Sequence, residues 1–372
     1  MTIGVPKEIK SDEYRVGLTP SNVRSLVQKG HKLFIQSGAG IGSGFDDLEY
    51  KNSGAILVDG AKLLYNSATL IIKVKEPQSD EYELLNSSHT LFCYLHLAPL
   101  RELASALVKN GVCAIAYETI AKNNSLPLLK PMSDIAGKMA PTVAAYHLSK
   151  YQGGEGILIS GAEGVEPANV LVIGAGNAGF NAVKIATGMG ANVTVINRSL
   201  PKMQELTKLF PKVKTEIYSP QTLLNLLKEA DIIISTVLIH GGATTPKLIT
   251  RDMLKQMKSG SVLVDITIDQ GGISESSRAT THTKPVFIEE GVIHYCVANM
   301  PGAYPKTATI ALTNATLPYI LELAENGTTN AIKNDSSLAL GVNVYKGVVT
   351  NKAVAKALNF NYKDLKKVVN KI

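Results

Sequence analysis

At 372 residues and 39.7 kDa, the chain is long enough to bury roughly three quarters of its unfolded surface without covalent staples, and its length suits two or three domains. Hydrophobic content of 45% and charged content of 19% describe an ordinary globular chain, and three cysteines (Cys93, Cys113, Cys296) without a C-x-x-C pair exclude a disulfide scaffold and argue against structural zinc. The 38 basic and 31 acidic residues leave a net charge of +7, which nucleic acid, a membrane surface or small anionic ligands would each explain.

The basic residues are scattered, apart from the tail Tyr362 to Ile372 (YKDLKKVVNKI). That tail keeps apolar residues at helical spacing and reads as a solvated amphipathic helix. With 6% aromatic residues and no Trp, the chain offers no stacking platform, so no nucleic-acid partner is expected. No apolar run reaches the ~18 residues that span a bilayer. The opening MTIGVPKEIK lacks a signal-peptide layout, and the expected location is cytoplasmic, with no membrane partner.

In chain order, strands are expected at Thr2–Val5, Lys32–Ile35, Ala55–Val58, Leu70–Val74, Leu91–Leu95 and Val112–Tyr117, with helices between them such as Ser21–Lys29 and Leu100–Lys109. Strands alternating with helices predict a parallel sheet covered on both faces. Gly38-Ala-Gly40-Ile-Gly42-Ser-Gly44 is glycine-rich, but Gly-Phe-Asp-Asp follows in place of an apolar helix, so it reads as a turn. Ser133 to Lys150 is a long helical pattern interrupted at Pro141. A second series follows, with strands at Val170–Ile173, Val193–Ile196, Lys214–Tyr218, Ile232–Ser235, Val262–Ile266, Val286–Ile288 and Ile293–Val297, and a long helix over Ala308–Glu325. Residues 330–372 are too few for a core of their own and are expected to pack on the first series. The predicted class is α/β, with two Rossmann-like doubly wound domains joined by long helices. The dinucleotide-binding domain (129–305) is inserted into a discontinuous catalytic domain (1–128 and 306–372), a layout that suits a hinged ligand cleft.

Val170-Leu-Val-Ile-Gly174-Ala-Gly176-Asn-Ala-Gly179 is a strand running into G-x-G-x-x-G and then a helical pattern. Gly174 permits the tight turn, Gly176 lets backbone approach a pyrophosphate, and Gly179 allows close packing of helix on strand. The helix N-terminus offers N–H groups and a positive dipole end to the anion. At the end of the next strand, where NAD-binding chains carry an acid for the ribose hydroxyls, stand Asn197, Arg198 and Ser199, with Lys202 beyond. Asn197 removes the charge that would repel a 2′-phosphate, and Arg198 with Ser199 could bind one, which allows NADP. Arg198 lying over the adenine or in solvent is the alternative.

Ligands of open parallel sheets gather at the carboxyl ends of strands. Arg15, Lys75, His96 and Asp269 all follow predicted strands. Arg15 and Lys75 could hold a carboxylate, Arg15 by its bidentate fork, while His96 and Asp269 could exchange protons near neutral pH. Each has a plainer reading: Lys75 paired with Glu76, His96 a core histidine, Asp269 a turn cap. Together, facing a nicotinamide, they read as a site. His31, His89, His147, His240, His282 and His294 form no H-E-x-x-H, so no metal is expected, and no G-x-S-x-G elbow supports hydrolysis.

With these residues in view, the chain resembles the alanine dehydrogenases over nearly its full length. The blocks that carry the resemblance are IGVPKEIKSDEYRVGLTP, KVKEP, YLHLA, GVEPANVLVIGAGNAG, VDITIDQGG and CVANMPGAYPKT. The resemblance implies reversible NAD-linked oxidative deamination of L-alanine to pyruvate and ammonia, in a two-domain subunit of a homohexamer. It implies that Arg15 and Lys75 bind the substrate carboxylate and that His96 and Asp269 are the acid/base pair. It also places Asn299 where substrate and nicotinamide meet, and Ser133 with the turn glycines on the cofactor. Asn197-Arg198 departs from the family's usual Asp, which puts strict NAD preference in question. The nucleotide-binding component of transhydrogenase shares several of these blocks. A dinucleotide-binding protein without catalysis is a further alternative, and saccharopine-forming lysine dehydrogenases share the architecture with larger substrates.

Overall fold

The structure is a computed structural model that describes residues 1–123, 125–237 and 244–369. His240 and residues 370–372 of the basic tail lie outside the described residues. The chain divides into two compact units, Met1–Met132 with Tyr304–Ile372, and Ser133–Ala303.

The first unit holds an eight-stranded sheet. Its strands are β1 (Thr2–Val5), β2 (Lys32–Gln36), β3 (Ile56–Val58), β4 (Leu70–Ile72), β5 (Thr90–Cys93) and β6 (Cys113–Ala116). The second unit contributes β7 (Asn169–Ile173), β8 (Asn192–Asn197), β9 (Lys214–Ile217), β10 (Ile232–Ser235), β11 (Val262–Asp265), β12 (Val286–Glu289) and β13 (Val292–Tyr295). The chain then returns to the first sheet with β14 (Val342–Tyr345) and β15 (Val348–Val349). The first sheet has the order β15-β14-β6-β5-β4-β1-β2-β3, and the second has β12-β13-β11-β10-β7-β8-β9. β1 to β6 are mutually parallel, and β14 joins antiparallel to β6. Among the described residues of the second sheet only β12 runs antiparallel, against β13.

Burial follows from these positions. β4, β5, β6, β10 and β11 are buried at every residue, as strands covered on both faces must be. The edge strands β9 and β12 carry the polar or half-exposed residues. In both sheets the strand order reverses at the first strand of its series, between β1 and β4 and between β7 and β10. Such switch points are where open α/β sheets open a crevice at their carboxyl ends.

Two expectations change. The helix Lys130–Leu148 runs unbroken through Pro141, although Pro cannot donate to the Gly137 carbonyl. Ala136, Ala140, Ala144 and Leu148 are buried at four-residue spacing, and that packed stripe outweighs one missing hydrogen bond. The strands β4 and β5 end two residues earlier than their apolar runs suggest. One backbone bond each way continues between them, Lys73 N–H to the Phe92 carbonyl and Tyr94 N–H to the Val74 carbonyl, while carboxylates serve the N–H groups that face their other neighbours. The N–H of Val74 donates to Glu8 Oε1 at 2.6 Å, and the N–H of Leu95 donates to Glu118.

The helix Pro305–Asn334 returns the chain to the first unit and is kinked at Gly327, whose φ is 73°. The tail forms the short helix Leu365–Val369, with Val369 buried. Among the described residues no helix is long and apolar enough to cross a membrane, and no group of three or more His, Cys, Asp or Glu is placed to hold a metal ion.

Candidate functional site

In the first unit the switch point between β1 and β4 is bridged by a buried carboxylate. Glu8 follows β1, and its Oε1 accepts the N–H groups of Val74 and, at 3.3 Å, Lys75. Its Oε2 lies 3.1 Å from Lys73 Nζ, which also donates to Glu81 Oε1 at 2.8 Å. The Tyr65 hydroxyl completes the group by donating to Glu81 at 2.8 Å. Burial alone would drive the Lys73 ammonium towards neutrality, but Glu8 and Glu81 raise its pKa above the ordinary lysine value. The Glu8 carboxyl is itself pushed up, chiefly by burial and against the pull of Lys73. Lys75 thus leaves the sheet on a backbone pinned by Glu8.

Arg15 is only 2% exposed. Its Nε donates to Glu13 Oε1 at 2.7 Å and its Nη2 to Glu13 Oε2 at 2.5 Å, while Nη1 meets the Met132 Sδ at 3.0 Å. Burial would raise the Glu13 carboxyl, but the Arg15 charge and hydrogen bonds, with Lys75 adding its charge, bring it down to about 2. The Nε–Nη2 edge of Arg15 is therefore paired with Glu13. Glu76 pairs with Lys10.

His96 follows β5 and is exposed, so it is no core histidine. Its φ of 45° lies in the left-handed region. Its ring stacks on Tyr94 with centroids 5.9 Å apart and planes 12° from parallel. The Tyr94 hydroxyl donates to the Leu128 carbonyl at 2.6 Å, and Arg15 and Tyr94 are close enough to influence each other's charge.

In the second unit β7 runs into Gly174, whose φ is 107°. A Cβ on Gly174 would fall 2.7 Å from Thr236 Oγ1, and one on Gly179 only 2.1 Å from the Gly174 carbonyl oxygen. The Thr236 hydroxyl donates to the Ile173 and Gly174 carbonyls at 3.0 and 3.1 Å, locking the turn across the β7–β10 switch point. Among the described residues, a Cβ on Gly176 would meet nothing within 4 Å. Gly176 caps the helix Asn177–Gly188 without a side-chain acceptor. A narrow turn, an open approach over Gly176 and an uncapped helix start are what a pyrophosphate requires, so these residues fit a dinucleotide.

The start of that helix is tied to the helix Lys130–Leu148. Asp134 Oδ1 accepts from Asn177 Nδ2 and, at 2.9 Å, from Asn181 Nδ2. A Cβ on Gly137 would lie 2.2 Å from the Ala178 carbonyl oxygen. Ser133, half-buried, sits next to Asp134 at this junction.

At the end of β8, the Asn197 amide donates to the Ser199 carbonyl at 3.3 Å. The Arg198 guanidinium lies 5.5 Å from the centre of the Tyr218 ring. Ser199 caps the helix Leu200–Leu209 without a side-chain bond, and Lys202 is exposed on its first turn.

Asp269 is exposed in the short 3-10 turn Ile266–Gln270 after β11. The capping role belongs instead to fully buried Asp265. It accepts the Thr267 N–H and hydroxyl at 3.1 and 2.6 Å, the Ile273 N–H at 2.9 Å and the Ser277 hydroxyl at 2.6 Å. Asn299, half-buried with φ of 61°, follows β13, and its carbonyl accepts the Gly302 N–H at 2.8 Å. Arg15, Lys75 and His96 thus share the first unit, and Asp269, Asn299 and the cofactor candidates share the second.

Sequence reasoning passed over Glu8, Glu13, Tyr94, Glu118, Asp134, Gly137 and Asp265. Four of them lie inside the quoted blocks: Glu8 and Glu13 in the first, Tyr94 in YLHLA and Asp265 in VDITIDQGG. The usable signal was an acid next to a candidate cation or at a strand end.

Comparison with known proteins agrees over both units. Residues 4–136 match the family model Alanine dehydrogenase/PNT, N-terminal domain, and residues 140–352 match Alanine dehydrogenase/PNT, C-terminal domain. The chain is 50% identical over 364 residues to an alanine dehydrogenase of Halomonas elongata, covering 97% of this chain and 98% of that one. It is 48% identical over 374 residues to alanine dehydrogenase 2 of Staphylococcus aureus strain MRSA252, covering 100% of both. A solved L-alanine dehydrogenase superposes with a TM-score of 0.93 at 44% identity, covering 96% of this chain and 99% of that one. A transhydrogenase from Sinorhizobium meliloti shares the fold, with a TM-score of 0.80 at 24% identity over 95% of this chain and 100% of that one. With both of its sheets matched and half of its residues shared with such relatives, the chain belongs to the alanine dehydrogenase/PNT family.

Proposed function

We propose that the protein catalyses the reversible oxidative deamination of L-alanine to pyruvate and ammonia. The observation that carries this reading is the full-length likeness to alanine dehydrogenases at about half identity. The buried Arg15–Glu13 pair and the exposed His96 stacked on Tyr94, all in the first unit, support it. A nicotinamide dinucleotide supplies the hydride acceptor. In this reading Gly174, Gly176, Gly179 and Ser133 hold the dinucleotide, and Asn299 lines the reacting site.

Arg15 and Lys75 bring two positive charges to the substrate carboxylate. Fixing the carboxylate orients the α-carbon, which lowers the barrier by several kcal/mol in well-positioned systems. His96 and Asp269 move protons to and from the nitrogen and the attacking water, a role worth about 10²–10⁴-fold in rate.

NAD is the expected cofactor, with NADP accepted. Asn197 carries no charge to repel a 2′-phosphate, and Arg198, Ser199 and Lys202 stand beside it as donors. The working form is a cytoplasmic homohexamer.

The test is spectrophotometric: pyruvate with ammonia and NADH or NADPH, beside glyoxylate and 2-oxobutyrate. Pyruvate is expected to be reduced fastest, and no turnover with pyruvate overturns the assignment. A kcat/KM for NADPH indistinguishable from zero overturns the NADP reading alone. Replacing His96 or Asp269 by Ala is expected to abolish turnover while dinucleotide binding survives.

A further inference from the structure

The candidate acid/base group His96 sits in a backbone conformation that disfavours it. Its φ of 45° is left-handed, and a residue with a Cβ pays about 1–2 kcal/mol to stay there. Burial does not hold it, because the side chain is exposed.

What holds it is Glu118. This residue lies on the 3-10 turn Tyr117–Thr119 that follows β6, and β5 and β6 pair as far as Cys93 and Ala116. Beyond that register the strands part, and the N–H groups of the departing chain need new acceptors. Glu118 Oε1 accepts the His96 N–H at 2.7 Å, and its two oxygens lie 3.3 and 3.2 Å from the Leu95 nitrogen. The carboxylate thereby extends the ladder past the end of the backbone pairing and turns the chain at His96. The ring is then fixed from the other side by stacking on Tyr94, itself edge-on to Tyr117 with centroids 5.1 Å apart.

We infer that Glu118 is the positioning residue for His96: its carboxylate holds the peptide of His96 in the left-handed conformation that aims the imidazole. This rests on the assignment of His96 as an acid/base group. Among the described residues Glu118 accepts from the backbone N–H groups of Leu95 and His96, so the length of the side chain and an acceptor oxygen matter more than its charge. Gln keeps both, Asp keeps the charge but is one methylene shorter, and Ala keeps neither.

The experiment compares Glu118→Ala, Glu118→Gln and Glu118→Asp with the wild type and with His96→Ala in pyruvate amination. It also measures the KM for pyruvate, the Kd for NADH and the thermal midpoint. Glu118→Ala and Glu118→Asp are expected to lose roughly tenfold to a hundredfold in kcat, the scale of a small misplacement of a reacting group. KM and Kd should stay within about threefold, because only a step after binding is touched. Glu118→Gln should recover most of kcat. A kcat within about threefold of wild type in Glu118→Ala, beside a dead His96→Ala, overturns the proposal and leaves the function standing. So does an active Glu118→Asp beside an inactive Glu118→Gln. An active His96→Ala overturns the assignment of His96 instead. If Glu118→Ala does not fold, the opposition between Gln and Asp decides.

Discussion

Replacing Glu13 by Gln tests how the buried Arg15 is held. The guanidinium and carboxylate are 1% and 0% exposed at their side chains and meet at 2.5 Å. Gln is nearly isosteric, but its amide turns donors towards the Arg15 donors, so one acceptor is lost and the cation is left without its counter-charge. The Glu13 carboxyl lies at about 2 in the folded protein against an ordinary 4.5. At about 1.4 kcal/mol per pKa unit, that depression is worth about 3 kcal/mol at neutral pH. The range of about 3–5 kcal/mol for breaking one side of a buried pair agrees. Because the folded pKa is depressed, the unfolded chain binds more protons between the two values, and the contribution falls as pH drops through that window. It should be complete above pH 5 and down to about 1 kcal/mol at pH 3. Urea unfolding of wild type and Glu13→Gln, followed by tyrosine fluorescence since the chain has no Trp, measures the difference at both pH values with the slope checked for constancy. A difference below about 1 kcal/mol at pH 7, or one that does not change with pH, refutes the reasoning.

Lys73→Met leaves the Glu8 and Glu81 carboxylates buried without their shared cation and should cost about 3–5 kcal/mol by urea unfolding. Since the Glu8 carboxyl is already raised, the folded variant takes up a proton more readily than the unfolded chain, and the deficit should narrow as pH falls towards 5; a wider deficit at low pH contradicts the pairing. Gly179→Ala drives a methyl to 2.1 Å from the Gly174 carbonyl oxygen, so the turn must shift. The Kd for NADH by fluorescence titration should rise more than about tenfold, the equivalent of 1.4 kcal/mol, and an unchanged Kd would remove this turn from the cofactor site. Asp265→Ala strands the donors of Thr267, Ile273 and Ser277 around a fully buried position. At about 1 kcal/mol for each of its four bonds, stability should drop by about 4 kcal/mol, and kcat should drop with it as the turn bearing Asp269 loosens; undiminished kcat would free Asp269 from that support.

Local pattern was enough wherever one stretch of chain decides its own structure. The strand cores were visible because buried parallel strands are continuous apolar runs, and the turn at Gly174 to Gly179 because three glycines at fixed spacing have one physical use. The residues Arg15, Lys75, His96 and Asp269 stood out as polar groups at strand ends. What surrounds them was hidden, because the partners are distant in sequence. Glu118 lies 22 residues from His96, and Glu8 lies 66 residues from Val74, so no window of sequence contains both ends of either bond. The pairing of Arg15 with Glu13 stayed hidden for the opposite reason. Glu13 is only two residues away, yet nothing in the spacing says whether an adjacent acid turns towards the cation or into water. Pro141 was read by its local penalty, which the buried stripe from Ala136 to Leu148 overrides.

The same accounting bears on the charge. Among the described residues, the buried carboxylates are Glu8, Glu13, Glu76, Glu81, Asp231 and Asp265, whereas the buried Lys and Arg side chains are Arg15, Lys73 and Lys75. A basic chain therefore keeps an excess of acids inside, and its surface is more basic than the net charge of +7 suggests. The chemistry of strand ends explains the preference. Where a parallel strand leaves its sheet, the following N–H groups need acceptors, and a carboxylate accepts several at once while an ammonium or guanidinium accepts none. Glu8 serves Val74 and Lys75, Glu118 serves Leu95 and His96, and Asp265 serves Thr267 and Ile273. Each of these acids fixes the short segment that presents a candidate functional side chain. The cost of burying Glu8 is offset by Lys73 and by those N–H bonds together, so the positioning of Lys75 and the stability of the first sheet are coupled. Substitutions that weaken one should weaken the other, which separates these acids from Asp269, whose carboxylate is exposed.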